Sequence, residues 1–167
     1  YSVVAGKSNS SVAANNMVMM GLENAASSVN NSVLAGNLNT LQSCCNTLAV
    51  GKSNTAVGSN QTALLGELNT TGTANYSVVG GYQNTASSVN NTLIAGAGNT
   101  VRSSSNAVVA GKANTATTAN QSTVLGELNN VTANWSLVGG YQNSVSANKS
   151  VVTVSYTNLT LPTIHSV

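Results

Sequence analysis

The chain is 167 residues long, with 5 Lys+Arg and 3 Asp+Glu for a formal net charge of +2, and it contains neither Asp nor Phe. So little charge with so few aromatics excludes a nucleic-acid footprint and a polybasic membrane patch, and no apolar run approaches the ~20 residues of a membrane-crossing helix. Polar and apolar residues alternate in strict register, unlike a disordered low-complexity chain, which is poorer in Val, Leu and Ile.

From the first residues onward a glycine recurs about every fifteen positions: Gly6, Gly21, Gly36, Gly51, Gly66, Gly81, Gly96, Gly111, Gly126 and Gly140. Three residues after each stands an asparagine: Asn9, Asn24, Asn39, Asn54, Asn69, Asn84, Asn99, Asn114, Asn129 and Asn143. A short fixed period is the signature of a solenoid, in which each copy is one unit stacked on the next. Cut at that period, the chain gives coils 2–16, 17–31, 32–46, 47–61, 62–76, 77–91, 92–106, 107–121, 122–135 and 136 onward, the ninth being one residue short. A longer echo lies over them. The block from Lys52 through Glu67 to Asn69 returns from Lys112 through Glu127 to Asn129, four coils later, which reads as a tandem duplication.

Fifteen residues are too few for a helical repeat. They suit two short strands joined by tight turns, the first rich in β-branched residues and ended by the glycine, the second running on from the asparagine. The expected fold is all-β, a parallel β-solenoid of about ten coils over residues 1–150. At ~4.8 Å per rung it makes a rod on the order of 50 Å long. Residues 151–158 read as a partial last coil. Residues 159–167 break the period with the only Pro, Pro162, and the only His, His165. That stretch reads either as a capping tail or as translated adaptor sequence, and it is set aside from functional reasoning. The chain begins at Tyr1 in mid-repeat without a leader-like stretch, so a fragment of a longer protein is expected.

Stacked asparagines bond amide to amide along the axis, which gives the Asn column a structural role. A looser column, Asn15, Asn30, Asn60, Asn75, Asn90, Asn120 and Asn134, marks another corner. Two apolar columns precede the glycine. One contains Val3, Val18, Val33, Leu48, Ala63, Val78, Leu93, Val108, Thr123 and Leu137; the other contains Val4, Met19, Leu34, Ala49, Leu64, Val79, Ile94, Val109, Val124 and Val138. Adjacent strand residues face opposite ways, so one column fills the coil and the other forms an exposed apolar stripe. The stripe, with Val79 placed in it, is expected to be buried against other copies of the chain.

The frame from Ser77 to Ser88, with its variants from Ser32 to Thr40 and from Ala107 to Ala116, resembles the head repeat of trimeric autotransporter adhesins, the YadA-like head. The resemblance covers about residues 2 to 150. It implies a left-handed parallel β-roll, packed as a homotrimer on the bacterial surface and held to the outer membrane by an anchor outside this sequence. It also implies an adhesive function toward host or environmental surfaces. The chain departs from that family in its Asn three after the glycine and in a coil of fifteen residues rather than fourteen. Similar repeats in phage tail-fibre-type proteins leave the host architecture open.

Charges gather directly after the glycine. There Lys52 lies one rung from Glu67 and Lys112 one rung from Glu127, with Tyr82 and Tyr141 completing the column. These six residues are the candidate adhesive surface; exposed ion pairs that set register are the plainer reading. Tyr76 and Trp135 stand at a neighbouring corner. Catalysis finds little to work with: Glu67 and Glu127 lie roughly 19 Å apart at the usual rung spacing, against the roughly 5 to 9.5 Å of paired carboxylates in glycosidases. With no metal cluster and no cofactor motif, the chain is expected not to be an enzyme. The adjacent Cys44 and Cys45 read as small side chains filling a turn rather than a disulfide.

Sequons at Asn30, Asn60, Asn75, Asn90, Asn120, Asn134 and Asn148 follow from the Asn column abutting the hydroxyl residue that opens the next strand. A rival function is ice binding on the threonine column Thr40, Thr55, Thr70, Thr85, Thr100 and Thr115. Two residues on, however, the column is irregular: Gln42, Val57, Gly72, Ser87, Arg102 and Thr117.

Overall fold

The computed structural model describes residues 1–155 and 158–159; the tail beyond lies outside the described residues. The chain is all-β, without a helix among the described residues, and winds as a β-solenoid. Two parallel 11-stranded sheets run the length of the rod, each strand pairing with its equivalents one coil before and one coil after. The first sheet takes the longer strand of each coil, such as Val78–Tyr82, and the second takes the shorter, such as Thr100–Arg102. Register is exact at the glycines: Gly66 pairs with Gly81, and Gly81 with Gly96.

The repeated glycine has a steric cause. At Gly81 φ is +110°, and a Cβ there would land on the carbonyl oxygen of Gly96 in the next rung. Only a residue without a side chain closes that corner.

Each coil turns at further residues in the left-handed region, and in coil 77–91 these are Gln83 (φ 54°), Ser88 (φ 55°) and Asn91 (φ 48°). Such a conformation costs about 1–2 kcal/mol in an L-residue. Rung-to-rung backbone bonds such as Gln83 N–H to the Glu67 carbonyl, 3.0 Å, hold it in place. The last two corners enclose a short third side that a two-strand reading of the sequence misses. It contributes its own buried column, including Val29, Cys44, Ala74, Val89 and Ala119. The shortened coil 122–135 has no left-handed residue at the corner equivalent to Thr118, so the missing residue is the corner itself.

The core is therefore built from three inward columns, the asparagine ladder and a buried column just before the first-sheet strands that is mostly Ser or Thr, with Met17 and Ala107 in two coils. Met19, Leu34, Leu64, Val79, Ile94 and Val109 fill it from the first sheet, and Leu41, Ala86, Val101 and Val131 from the second. This corrects the placement of Val79 in the outward stripe. Val79 is 0% exposed, whereas Val78 is 42% exposed. Both columns are apolar, so polarity alone does not reveal which faces in.

Candidate functional surfaces

The asparagine ladder is made of buried side chains with their hydrogen bonds almost fully met. Asn84 is typical: its Nδ2 lies 3.1 Å from Asn69 Oδ1, 2.9 Å from the Gly80 carbonyl and 2.8 Å from the Gly96 carbonyl. Its Oδ1 accepts from the Asn99 N–H at 2.9 Å and from Asn99 Nδ2 at 3.0 Å. The same pattern runs from Asn24 to Asn129. A carboxylate would lack the donor, and a hydroxyl the reach, to bridge both neighbours. The second column forms an outer ladder in segments, with Asn15 donating to Asn30, Asn60 to Asn75 and Asn75 to Asn90.

The hydroxyls of the sequons turn away from solvent. Ser32, Thr62, Ser77 and Thr92 are buried and donate to the carbonyl of the asparagine two residues before. Each sequon is thus part of a coil corner. Cys44 is buried in the short third side and its Sγ lies 3.1 Å from the Gln42 carbonyl. Burial pushes its thiol pKa up, the bonds to backbone only partly opposing this. Cys45 sits half-buried in the outer Asn column, taking a weak contact from Asn30 Nδ2 at 3.8 Å. Both are free thiols.

Three surfaces remain open. The outer face of the first sheet carries two apolar columns rather than one. Residues two positions after the Val78 column also point outward, among them Met20, Val50, Leu65 and Leu125, each exposed. The sequence reading missed this second column because glycine and alanine interrupt it at Gly80, Ala95, Ala110 and Gly139.

The second sheet presents the threonine column. Thr40, Thr55, Thr70, Thr85, Thr100 and Thr115 pair in register on consecutive rungs. Beside it a shallow depression opens over Gly72, lined by Val57, Thr70, Thr85, Ser87 and Arg102.

The third surface is the corner after the glycine. Lys52 Nζ lies 3.2 Å from Glu67 Oε1, and Lys112 Nζ 3.1 Å from Glu127 Oε1. Tyr82 pairs in register with Glu67, and Tyr141 with Glu127, so the six residues form two three-rung files. Tyr76 and Trp135 lie apart from them, six residues earlier in the chain and exposed at the opposite end of the same strands. Among the described residues no cluster of three or more His, Cys, Asp or Glu is placed to hold a metal ion.

No family model and no curated protein matches the chain. Among solved structures it is similar to the polySia specific acetyltransferase NeuO, at 13% identity over 92% of this chain and 80% of that one, with a TM-score of 0.27. It is also similar to the polysialic acid O-acetyltransferase OatWY, at 10% identity over 98% of this chain and 95% of that one, with a TM-score of 0.20. Neither is an autotransporter head. Both are enzymes, and this corrects the expectation that the chain is not one. Scores this low carry no argument for an activity here.

Proposed function

We propose that this chain is an adhesive surface segment that works as a homotrimer, its first sheet covered by copies of itself. The observation that carries the reading is the outer face of that sheet, with two apolar columns side by side on successive rungs. The two columns span three residues of ~3.3 Å across and ten rungs of ~4.8 Å along, roughly 480 Å². That is near the upper end of what soluble monomers leave as one apolar patch, and here it forms a single strip along the whole rod. No charge interrupts either column. The trimer and the adhesive role are what the head-repeat resemblance adds, and a cell-surface location follows from the same resemblance.

Light scattering tests the assembly. A mass three times the 16.7 kDa chain is expected, and a single-chain mass in dilute buffer overturns it. A second reading, ice binding, draws on the six threonines in register on the second sheet. Thermal hysteresis that disappears in Thr70→Ala and Thr85→Ala selects that reading for the second face. A solution freezing without hysteresis removes it.

A further inference from the structure

The duplicated block allows two copies of the same surface to be compared within one molecule. Since the copies arose, even buried positions have drifted: Leu64 corresponds to Val124, Ser59 to Ala119 and Ala86 to Val145. Outward positions on the second sheet have drifted too, with Val57 corresponding to Thr117 and Thr70 to Asn130. At the corner after the glycine Lys, Glu and Tyr are the same in both files, and so are the residues that follow the last two, while the residue after the lysine differs, Ser53 against Ala113. Leu68 corresponds to Leu128, and Gln83 to Gln142.

Packing does not account for this identity. Leu68 and Leu128 are 39% and 42% exposed, and both sit in the left-handed region, at φ 59°, where a branched-chain residue has no advantage over Asn or Gly. Tyr82 and Tyr141 are 45% and 42% exposed. The ion pairs are solvent-facing and contribute at most ~1 kcal/mol each. These solvent-facing residues stayed fixed without a packing cause, unlike Ala56 with Ala116 and Val79 with Val138, whose identity burial explains; Leu65 with Leu125 on the outer face of the first sheet is unchanged as well.

Resting on the adhesive reading above, we propose that this corner holds two equivalent stations for one neutral polysaccharide chain lying parallel to the rod axis. The chemistry of each station fits such a ligand. An exposed tyrosine ring beside an exposed leucine gives an apolar platform for the C–H face of a sugar ring. A glutamine amide next to it offers donor and acceptor to hydroxyls. Lys52 and Glu67 balance each other, so the station has no net charge to draw a charged ligand, yet both ends remain able to bond hydroxyls. The stations repeat after four rungs, roughly 19 Å, along a straight line. A linear polymer meets both at once, and occupation of one raises the effective concentration at the other.

Affinity electrophoresis of the purified chain in native gels cast with dextran, xylan or galactomannan tests this, against a gel without polysaccharide. Retardation by at least one of the three is expected. In that polymer Tyr82→Ala and Tyr141→Ala each weaken binding tenfold or more, because losing one station removes an avidity of roughly 100-fold, while Ser87→Ala on the second sheet has no effect. Migration unaffected by all three polysaccharides overturns the proposal, as does a loss below tenfold in either tyrosine variant. Circular dichroism melts verify that the variants fold; should either tyrosine variant fail there, Gln83→Ala and Gln142→Ala carry the same criterion. A chain that assembles but ignores the polysaccharides sinks the stations alone. A chain that is retarded but travels as a single copy sinks the assembly alone.

Discussion

Replacing Asn84 by alanine takes one plank out of the buried ladder, and the cost can be worked from its bonds. The Asn99 N–H loses its acceptor, Asn84 Oδ1 at 2.9 Å, and is left inside the rod. An orphaned buried donor costs about 1–3 kcal/mol, and losing the donor to the Gly80 and Gly96 carbonyls adds about 1 kcal/mol for each. Asn69 Oδ1 fares better, since the backbone N–H of residue 84 still reaches it at 3.1 Å. The expected loss is therefore about 3–5 kcal/mol. Asn9→Ala, at the half-exposed first rung, should cost less because water reaches the groups it leaves. Urea unfolding followed by circular dichroism measures both. Because stacked repeats need not unfold in one step, amide hydrogen exchange at Asn99 supplies the local reading. If Asn84→Ala unfolds at the wild-type midpoint with Asn99 still protected, the ladder is decorative and the reasoning is wrong.

Three further outcomes follow from the same geometry. Gly81→Ala drives a methyl group onto the Gly96 backbone and should abolish soluble expression, whereas Gly80→Ala, with nothing within 4 Å of the added carbon, should express and melt near wild type. Val79→Asp buries an unpaired charge and should unfold the chain, while Val78→Asp, on the outer face, should leave the circular dichroism spectrum intact and lower the mass seen by light scattering. At pH values where an ordinary thiol is half ionised, iodoacetamide should modify Cys45 well before Cys44, whose raised pKa and burial keep it protonated. Equal rates by mass spectrometry would contradict the placement of Cys44 inside the third side.

The stacking was legible because glycine and asparagine at these corners have steric and hydrogen-bonding reasons that no other residue satisfies, and the period exposes them. The inward face was not legible, since Val78 and Val79 are chemically alike and strand alternation gives no origin of count when a glycine in the left-handed region interrupts it. The third side escaped notice for a different cause: its buried column mixes Val, Cys, Ser and Ala, and so offers no hydrophobic contrast. At the corner surface, Lys52, Glu67 and Tyr82 stood out by charge and aromaticity. Leu68 and Gln83 did not, because their exposure depends on a backbone angle that composition does not reveal.

Every strand of this rod pairs only with the strands directly above and below it. The molecule therefore has no keystone. A whole storey can be copied in or dropped out and the floors on either side meet the same ceiling as before, as the copied block and the trimmed ninth coil attest. For such a chain, length is a freely adjustable quantity, and the rod can grow or shrink without any redesign of what holds each level together.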